Sequence, residues 1–267
     1  MDVKRLVELL TREARITVLT GAGVSAASGV PTFRGSDGLW KNFRPEALAT
    51  AEAFGRDPKL VWEWYAWRRF RLAACDPNPA HRVLADWGRR FPNFKLITQN
   101  VDGLHERASA SATASTSAKA SADKPAGQAG GSPIICLHGS IWEVSCWQGC
   151  AKSPKRWRDE TLTFAEIPPR CPHCGGPIRP GVIWFGETLD PGVVRQAAKA
   201  AECDVFITVG TSAIVYPAAG FITAAKQHGA YTVEINPEAT PATSTVDLSL
   251  KGGAETMLPY IDQQICV

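Results

Sequence analysis

Short apolar runs that alternate with helical stretches constrain the fold of this chain more than any other feature. ITVLT at 16–20 comes first, and KLITQN (95–100), IICLHG (134–139), VFITVG (205–210), TVEIN (232–236) and VDLSLKG (246–252) follow it. Between several of them lie helical stretches such as PGVVRQAAKAAE (191–202) and AAGFITAAKQHG (218–229). Strands this apolar are buried on both faces, and alternation with helices is how a parallel sheet becomes covered. The expected fold class is α/β, a Rossmann-like parallel sheet with helices on both faces. The opening MDVKRLVELLTREAR puts Val3, Leu6, Val7 and Leu10 on one face of a helix that feeds the first strand.

Cys146, Cys150, Cys171 and Cys174 form two pairs in a short polar region, whereas Cys75, Cys136, Cys203 and Cys266 stand alone. Thiol pairs separated by a loop suit tetrahedral zinc, and CPHC followed by Gly175 and Gly176 offers a tight turn around the sulfurs. CWQGC has a longer spacer than CPHC, which leaves His173 as a remote substitute ligand. Four unrelated surface thiols are the alternative. With four cysteines and no catalytic histidine in the module, such a zinc is structural.

One segment breaks the pattern. From Ala108 to Ser132 the chain is almost entirely Ala, Ser, Thr and Gly without an apolar face, and is expected to be a disordered low-complexity insertion at 108–132, an Ala-rich helix being the competing reading. A net charge of +3 on 267 residues argues for neither nucleic acid nor membrane as a partner. No apolar run approaches the roughly 20 residues of a membrane span. Asp2, Glu8 and Glu13 among the first bases speak against a cleavable presequence.

Two further stretches point to ligands. After the first strand, Gly21, Gly23 and Ala26 in GAGVSAASG fit the G-x-G-x-x-G/A turn that brings a pyrophosphate to unpaired backbone amides, although small residues also recur at such turns for packing alone. The acidic residue usual at the end of a second strand is missing, since Asp37 falls in a Gly-rich loop. In VWEWYAWRRF (61–70), Tyr65 and Arg68 lie one helical turn apart on the same face, where a phenol and a guanidinium can converge on one anion. An amphipathic helix with inward tryptophans and solvated arginines is the plainer reading. Arg69 points about 100° away from Arg68 on such a helix.

GAGVSAASGVPTFRG, TQNVDGLH, LHGS, the two cysteine pairs, GVIWFGE, VGTSAIVYPAA and EINPEATPAT occur in one order over nearly the whole chain. Together they resemble the sirtuins, NAD-dependent protein lysine deacylases. The insertion and the CWQGC spacer depart from the family pattern. The resemblance implies one catalytic domain over 1–267, with a Rossmann-like NAD-binding part (about 1–40, 80–140 and 185–267) and a small part made of a helical insertion (about 41–79) and a zinc module (about 141–182).

Under that resemblance the acyl-lysine carbonyl oxygen attacks a ribose as nicotinamide leaves, and a base then activates a ribose hydroxyl. His138 is the implied base, because a histidine titrates near neutral pH. Asn100 and Asp102 complete the implied catalytic set. NAD, the co-substrate, is implied to meet Gly21, Ala22, Gly23, Ser25 and Ala26 in the first turn, and Thr32, Phe33, Arg34 and Trp40 in the loop that caps it. Gln99, Asn100, Val101 and Asp102 are implied at the nicotinamide end. Gly210, Thr211, Ser212, Asn236, Pro237, Glu238 and Ala254 are implied along the ribose and adenosine. VIWFGE resembles the strand that pairs with the substrate peptide, with Val182, Trp184, Phe185, Gly186 and Glu187 around the lysine stem, while a buried edge strand is its bland alternative.

In the subgroup that removes succinyl, malonyl and glutaryl groups, a Y-x-x-R pair binds the distal carboxylate of the acyl chain, and Tyr65 and Arg68 match it. The resemblance further implies acyl-lysine peptides and proteins as partners, no specific nucleic acid, no membrane, and a monomer. It implies a mitochondrial location, with cytosol or nucleus as the alternative. A deacetylase, an NAD glycohydrolase or ADP-ribosyltransferase using the same site, and a noncatalytic zinc module with Lys152, Lys155, Arg156 and Arg158 around it are the competing functions.

Overall fold

The computed structural model describes residues 3–32, 45–117 and 134–265. Its frame is a six-stranded parallel sheet of β1 (Ile16–Thr20), β2 (Phe94–Thr98), β3 (Ile134–Cys136), β7 (Val205–Val209), β8 (Tyr231–Asn236) and β9 (Leu248–Lys251) in the order β3-β2-β1-β7-β8-β9. Counted within the sheet, that is the doubly wound 3-2-1-4-5-6 order, whose ligand crevice opens where the winding reverses, here between β1 and β7. All six expected runs supply a strand. Each face carries its own core. Leu6, Leu84, Trp87, Leu258 and Ile261 pack on one side with Ile16, Val18 and Ile207, while Ala197, Phe221 and Ile222 pack on the other with Leu19, Ile97 and Phe206.

The first core is supplied by α1 (Lys4–Leu9), α5 (Pro79–Arg90) and α9 (Ala254–Gln264), the second by α7 (Pro191–Ala200) and α8 (Ala218–Gln227). The starts of α5 and α7 are legible in the residues. Asn78 accepts from the amides of Ala80 and His81 while His81 Nδ1 accepts from the Asn78 amide, and Pro79 takes the first helical position. At α7 the Asp190 side chain accepts from the Gly192 amide and Pro191 takes the first helical position.

A smaller unit sits over the carboxyl ends of the strands. It joins α2 (Pro45–Leu48), α3 (Ala51–Arg56) and α4 (Pro58–Ala73) to an antiparallel sheet of β4 (Gly139–Cys146), β5 (Trp157–Arg158) and β6 (Ile178–Val182). Its core is aromatic, with Phe54, Trp62, Trp64, Tyr65, Trp142 and Trp184 against Ile141, Val144 and Ile178. The antiparallel sheet had no distinct signal in the sequence. The run that begins at the expected strand IICLHG continues through SIWEVSC and serves two sheets, β3 in the large one and β4 in the small one, with His138 at the step between them.

Two expectations need correction. VIWFGE is strand only at Val182, where β6 ends; Phe185 makes an isolated parallel bridge to Thr50. The low-complexity stretch is helical where it begins, since α6 (Leu104–Ser117) runs into it. Leu104 and Ala108 are buried, and Arg89 donates to the Ala112 carbonyl at 2.7 Å, so packing against α5 extends a helix that alanine favours. Residues 118–132 of the insertion lie outside the described residues. Among the described residues no helix is long and apolar enough to cross a membrane.

Candidate active site

The turns after β1 and β7 meet backbone to backbone. The Gly21 amide donates to the Val209 carbonyl at 3.0 Å and the Gly23 amide to the Gly210 carbonyl at 2.8 Å. A Cβ on Gly23 would stand 2.7 Å from Gly210 Cα, and Gly210 itself has φ of 58°, so the crossing needs glycine on both sides. The expectation that the turn amides are unpaired is thereby corrected for Gly21 and Gly23. Both amides are committed to the sheet rather than facing an anion, and the turn that follows, Ala22–Ser28, is a 3-10 helix.

Above this crossing lies a cleft of about 1560 Å³. Single small-molecule sites run to roughly 300–1,000 Å³, so there is room for two occupants. The cleft gathers Gly21, Ala22, Gly23, Ala26 and Thr32 from the first turn and Gln99, Asn100 and Val101 from beyond β2. Gly210, Thr211, Ser212, Asn236, Pro237, Glu238 and Ala254 line its other end. Thr211 ties three strand ends together, accepting from Gln99 Nε2 through its hydroxyl and from Asn236 Nδ2 through its carbonyl, each at 2.9 Å. Phe33, Arg34 and Trp40 lie outside the described residues.

His138 lines the cleft at the step between the two sheets. Its Nδ1 lies 2.9 Å from the Gln99 carbonyl, which can only accept; the proton is therefore on Nδ1, and Nε2 keeps a lone pair. Burial lowers the pKa of this imidazole, only partly opposed by the Gln99 bond, so the ring is neutral at neutral pH. The geometry suits a general base.

Asp102 and Ser25 do not line this cleft, though Asp102 borders a smaller adjoining pocket with Ala22, Arg68 and Asn100. Asp102 is 6% exposed and accepts from Ser25 Oγ at 2.8 Å and from the Leu104 amide at 2.9 Å. Burial raises its pKa, though these bonds pull the other way. Asn100 Nδ2 donates to Ser25 Oγ at 3.1 Å. His81, whose Nδ1 is occupied as an acceptor, approaches the same hydroxyl through Nε2 at 3.3 Å. Asp102 thus acts through Ser25 on Asn100, beneath the cleft wall. Sequence reasoning missed His81 and also His105, whose Nε2 lies 3.0 Å from Thr20 Oγ1; burial lowers both pKa values, that of His81 to about 4. The capping position of His81 after Asn78 and Pro79 was the one available signal.

The opposite wall is built from large side chains. Tyr65 and Arg68 of α4 both line the cleft and are 2% and 9% exposed. The Arg68 guanidinium lies 4.8 Å from the Trp64 ring centre and 5.4 Å from that of Tyr65. Burial lowers its pKa, opposed by its interactions with Tyr65, a side-chain hydrogen bond among them, and by the charge of Asp102. Val182, Trp184, Phe185, Gly186 and Glu187 face them. The Glu187 carboxylate is held by Arg179 and by the Trp184 amide; burial raises its pKa, but these partners outweigh it and keep the group below its usual range. Arg69, also missed, is wholly buried on the other side of α4. It donates to the Ile141 carbonyl at 2.8 Å and to Asp159 at 2.7 Å, which fastens the helix to the small sheet.

The sulfurs of Cys146, Cys150, Cys171 and Cys174 all lie within 4.8 Å of one another. The pairs 146–174 and 150–171 stand 3.6 and 3.9 Å apart. A tetrahedron with Zn–S near 2.3 Å has sulfurs about 3.8 Å apart, which these two pairs match, so the four thiols are grouped as a zinc site requires. His173 is exposed and outside the cluster, edge-on to the Trp157 ring at 6.2 Å.

Comparison with known proteins supplies independent findings. A family model described as the Sir2 family matches residues 21–124 and 118–217. The chain is 48% identical over 247 residues to the NAD-dependent protein deacylase of Aquifex aeolicus, covering 92% of this chain and 93% of that protein. A solved Sir2 homologue–NAD complex superposes with a TM-score of 0.81 at 40% identity, over 99% of this chain and 94% of that one. A Sir2 enzyme solved with a deacetylated p53 peptide and 3'-O-acetyl ADP-ribose superposes with a TM-score of 0.79 at 26% identity, over 99% and 98% of the two chains.

Proposed function

The chain belongs to the Sir2 family and is an NAD-dependent protein deacylase, and from that premise we propose that it prefers acidic acyl groups on lysine, namely succinyl, malonyl and glutaryl. The observation that carries the preference is the pair Tyr65 and Arg68, buried together on the wall of the cleft. A guanidinium in a low-dielectric wall gains more from an arriving carboxylate than the same group in water. Burial works against the charge of Arg68 more strongly than its neighbours favour it, so a carboxylate there offsets part of that cost.

NAD fits the cleft, whose floor is made of small residues around the Gly23–Gly210 crossing and whose rim carries Gln99, Thr211 and Asn236 at intervals. When bound, it supplies the ribose carbon that accepts the acyl oxygen as nicotinamide departs. His138 takes a proton through Nε2, its tautomer set by the Gln99 carbonyl. Asn100, held by Ser25, lines the same cleft. Val182 and Trp184 line the path of the lysine stem, and the large cleft keeps both substrates together. The zinc of the four cysteines is structural, holding the small sheet that abuts α4.

Peptides of one sequence bearing acetyl-, malonyl-, succinyl- or glutaryl-lysine, incubated with NAD and followed by mass, test the reading. Wild-type protein is expected to turn over the acidic groups faster than acetyl. Arg68→Met and Tyr65→Phe should each raise the KM for succinyl-lysine and lower the succinyl-to-acetyl ratio about ten- to a hundredfold, the equivalent of a charge-assisted bond of about 1.5–3 kcal/mol. A wild-type preference for acetyl-lysine, or consumption of NAD that does not depend on peptide, would overturn it.

A further inference from the structure

Tyr65 is held by Trp184, and Trp184 is held by a device that reaches from the cleft lining to a residue behind it. Trp184 Nε1 donates to the Tyr65 hydroxyl at 2.9 Å. An indole nitrogen only donates, so the phenol oxygen is the acceptor there. Among the described residues no group accepts the Tyr65 proton, although the ring is 2% exposed and faces the cleft. Arg68, its other side-chain partner, is likewise only a donor, so the phenol proton is left to donate into that space. Burial raises the Tyr65 pKa, so the proton stays on the oxygen at neutral pH.

The indole is fixed by Arg179, which is not part of the cleft lining. The guanidinium carbon stands 3.7 Å from the Trp184 ring centre. Its Nη1 and Nη2 reach the two carboxylate oxygens of Glu187 at 2.5 and 2.8 Å, and Nη2 also donates to the Val182 carbonyl at 3.0 Å. Glu187 in turn accepts from the Trp184 amide at 2.8 Å. The rings of Phe54 and Trp147 are 5.4 and 6.3 Å away. A guanidinium tied to Glu187 and to the Val182 carbonyl, with its carbon 3.7 Å from the ring centre, restrains the indole in the orientation in which its N–H meets Tyr65.

We propose that the Arg179–Glu187 pair sets acyl selectivity at a distance, by locking Trp184 so that the Tyr65 hydroxyl can only donate to the terminal carboxylate of the acyl chain. The inference rests on the acidic-acyl reading above and deepens it. Arg179 is a positioning residue, acting through Trp184 and Tyr65. Without it the indole can turn, its N–H leaves the phenol, and the hydroxyl is free to rotate away from an incoming carboxylate. A purely scaffolding role would instead depress all substrates alike.

The test uses the full chain and compares wild type with Arg179→Gln, Arg179→Lys and Trp184→Phe, on succinyl- and acetyl-lysine peptides of one sequence with NAD. Arg179→Gln is expected to lower the succinyl-to-acetyl ratio of kcat/KM about tenfold, through the KM for the succinyl peptide, with the KM for NAD unchanged. Arg179→Lys, which can pair with Glu187 but cannot lie flat on the ring, should recover only part of the ratio. Trp184→Phe keeps a ring and removes the N–H, and should shift the ratio in the same direction as Arg179→Gln; it also serves if Arg179→Gln does not fold. A ratio left at the wild-type value in Trp184→Phe, or in a folded Arg179→Gln, overturns the inference while the acidic-acyl reading stands. A wild type without preference for the acidic group removes both.

Discussion

The two walls of the cleft are built on different principles. The wall proposed to hold the nucleotide is mostly backbone: Gly21, Gly23 and Gly210 cross so closely that no Cβ fits, and the strand ends are tied through Thr211. The wall proposed to meet the acyl chain is mostly side chain, where Arg68, Tyr65, Trp184 and Arg179 hold one another by ring contacts and hydrogen bonds. A wall made of backbone has little to vary and suits a constant substrate. One made of interlocked side chains can be retuned by a single substitution, and suits the substrate on which relatives of a fold can differ.

The largest effect should come where the walls meet. His138→Ala is expected to cut turnover about 10²–10⁴-fold on every acyl peptide while NAD still binds, measured by steady-state kinetics and calorimetry. Near-normal turnover would remove His138 from the chemistry and leave the walls without a common base.

Breaking the support of the acyl wall comes next. Arg69→Leu strips the Ile141 carbonyl and Asp159 of their partner, and should cost about 3 kcal/mol of unfolding free energy by denaturant titration, the low end for a broken buried pair because Asp159 is 18% exposed. The comparison predicts how the loss is distributed. KM for the acyl peptide should rise before KM for NAD does.

Gly23→Ala is the mirror experiment. Its Cβ meets the Gly210 backbone at 2.7–2.8 Å, so one turn must move, for about 1–3 kcal/mol of stability. Here KM for NAD should rise with the succinyl-to-acetyl ratio unchanged. A changed ratio would mean that the two walls are one mechanical unit.

The smallest effect is in the pH profile. Burial lowers the His138 pKa below 6.5, so the neutral base persists below that pH, and kcat/KM should hold through pH 6.5 and fall only as pH drops through the lowered value. Folding has its own acid limb. His81 titrates near 4 when folded and near 6.5 when unfolded, so between those values protons favour the unfolded chain and stability declines as pH falls through that window. Kinetics must therefore be read at pH values where thermal melting shows the chain intact. An acid limb of activity above pH 6.5 would contradict the buried, neutral imidazole.

How much of this could be read before the fold was known differs between the same two walls. The apolar runs placed every strand of the large sheet, because strands buried in a parallel sheet demand such runs, although VIWFGE has the same look and is strand only at Val182. The cysteine pairs announced a zinc site, since ligand geometry constrains spacing directly. Y-x-x-R on a helix put Tyr65 and Arg68 on one face by helical geometry alone. Those are short-range facts, each written within one segment or one pair of segments.

What the tertiary structure decided are relations between distant segments. The Gly23 amide looks free for a phosphate until Gly210 arrives to accept it. Arg69 reads as a solvated neighbour of Arg68, yet it is the wholly buried anchor of α4, because the face it points to is covered by β4. The start of the Ala/Ser-rich stretch is helical because α5 lies against it. Trp184 meets Tyr65 across 119 residues of chain. Local sequence dictates which conformations a segment prefers and which side chains share a face. Which donors are already occupied, and which charges are taken out of water, depends on what packs against them, and that is settled only when the segments meet.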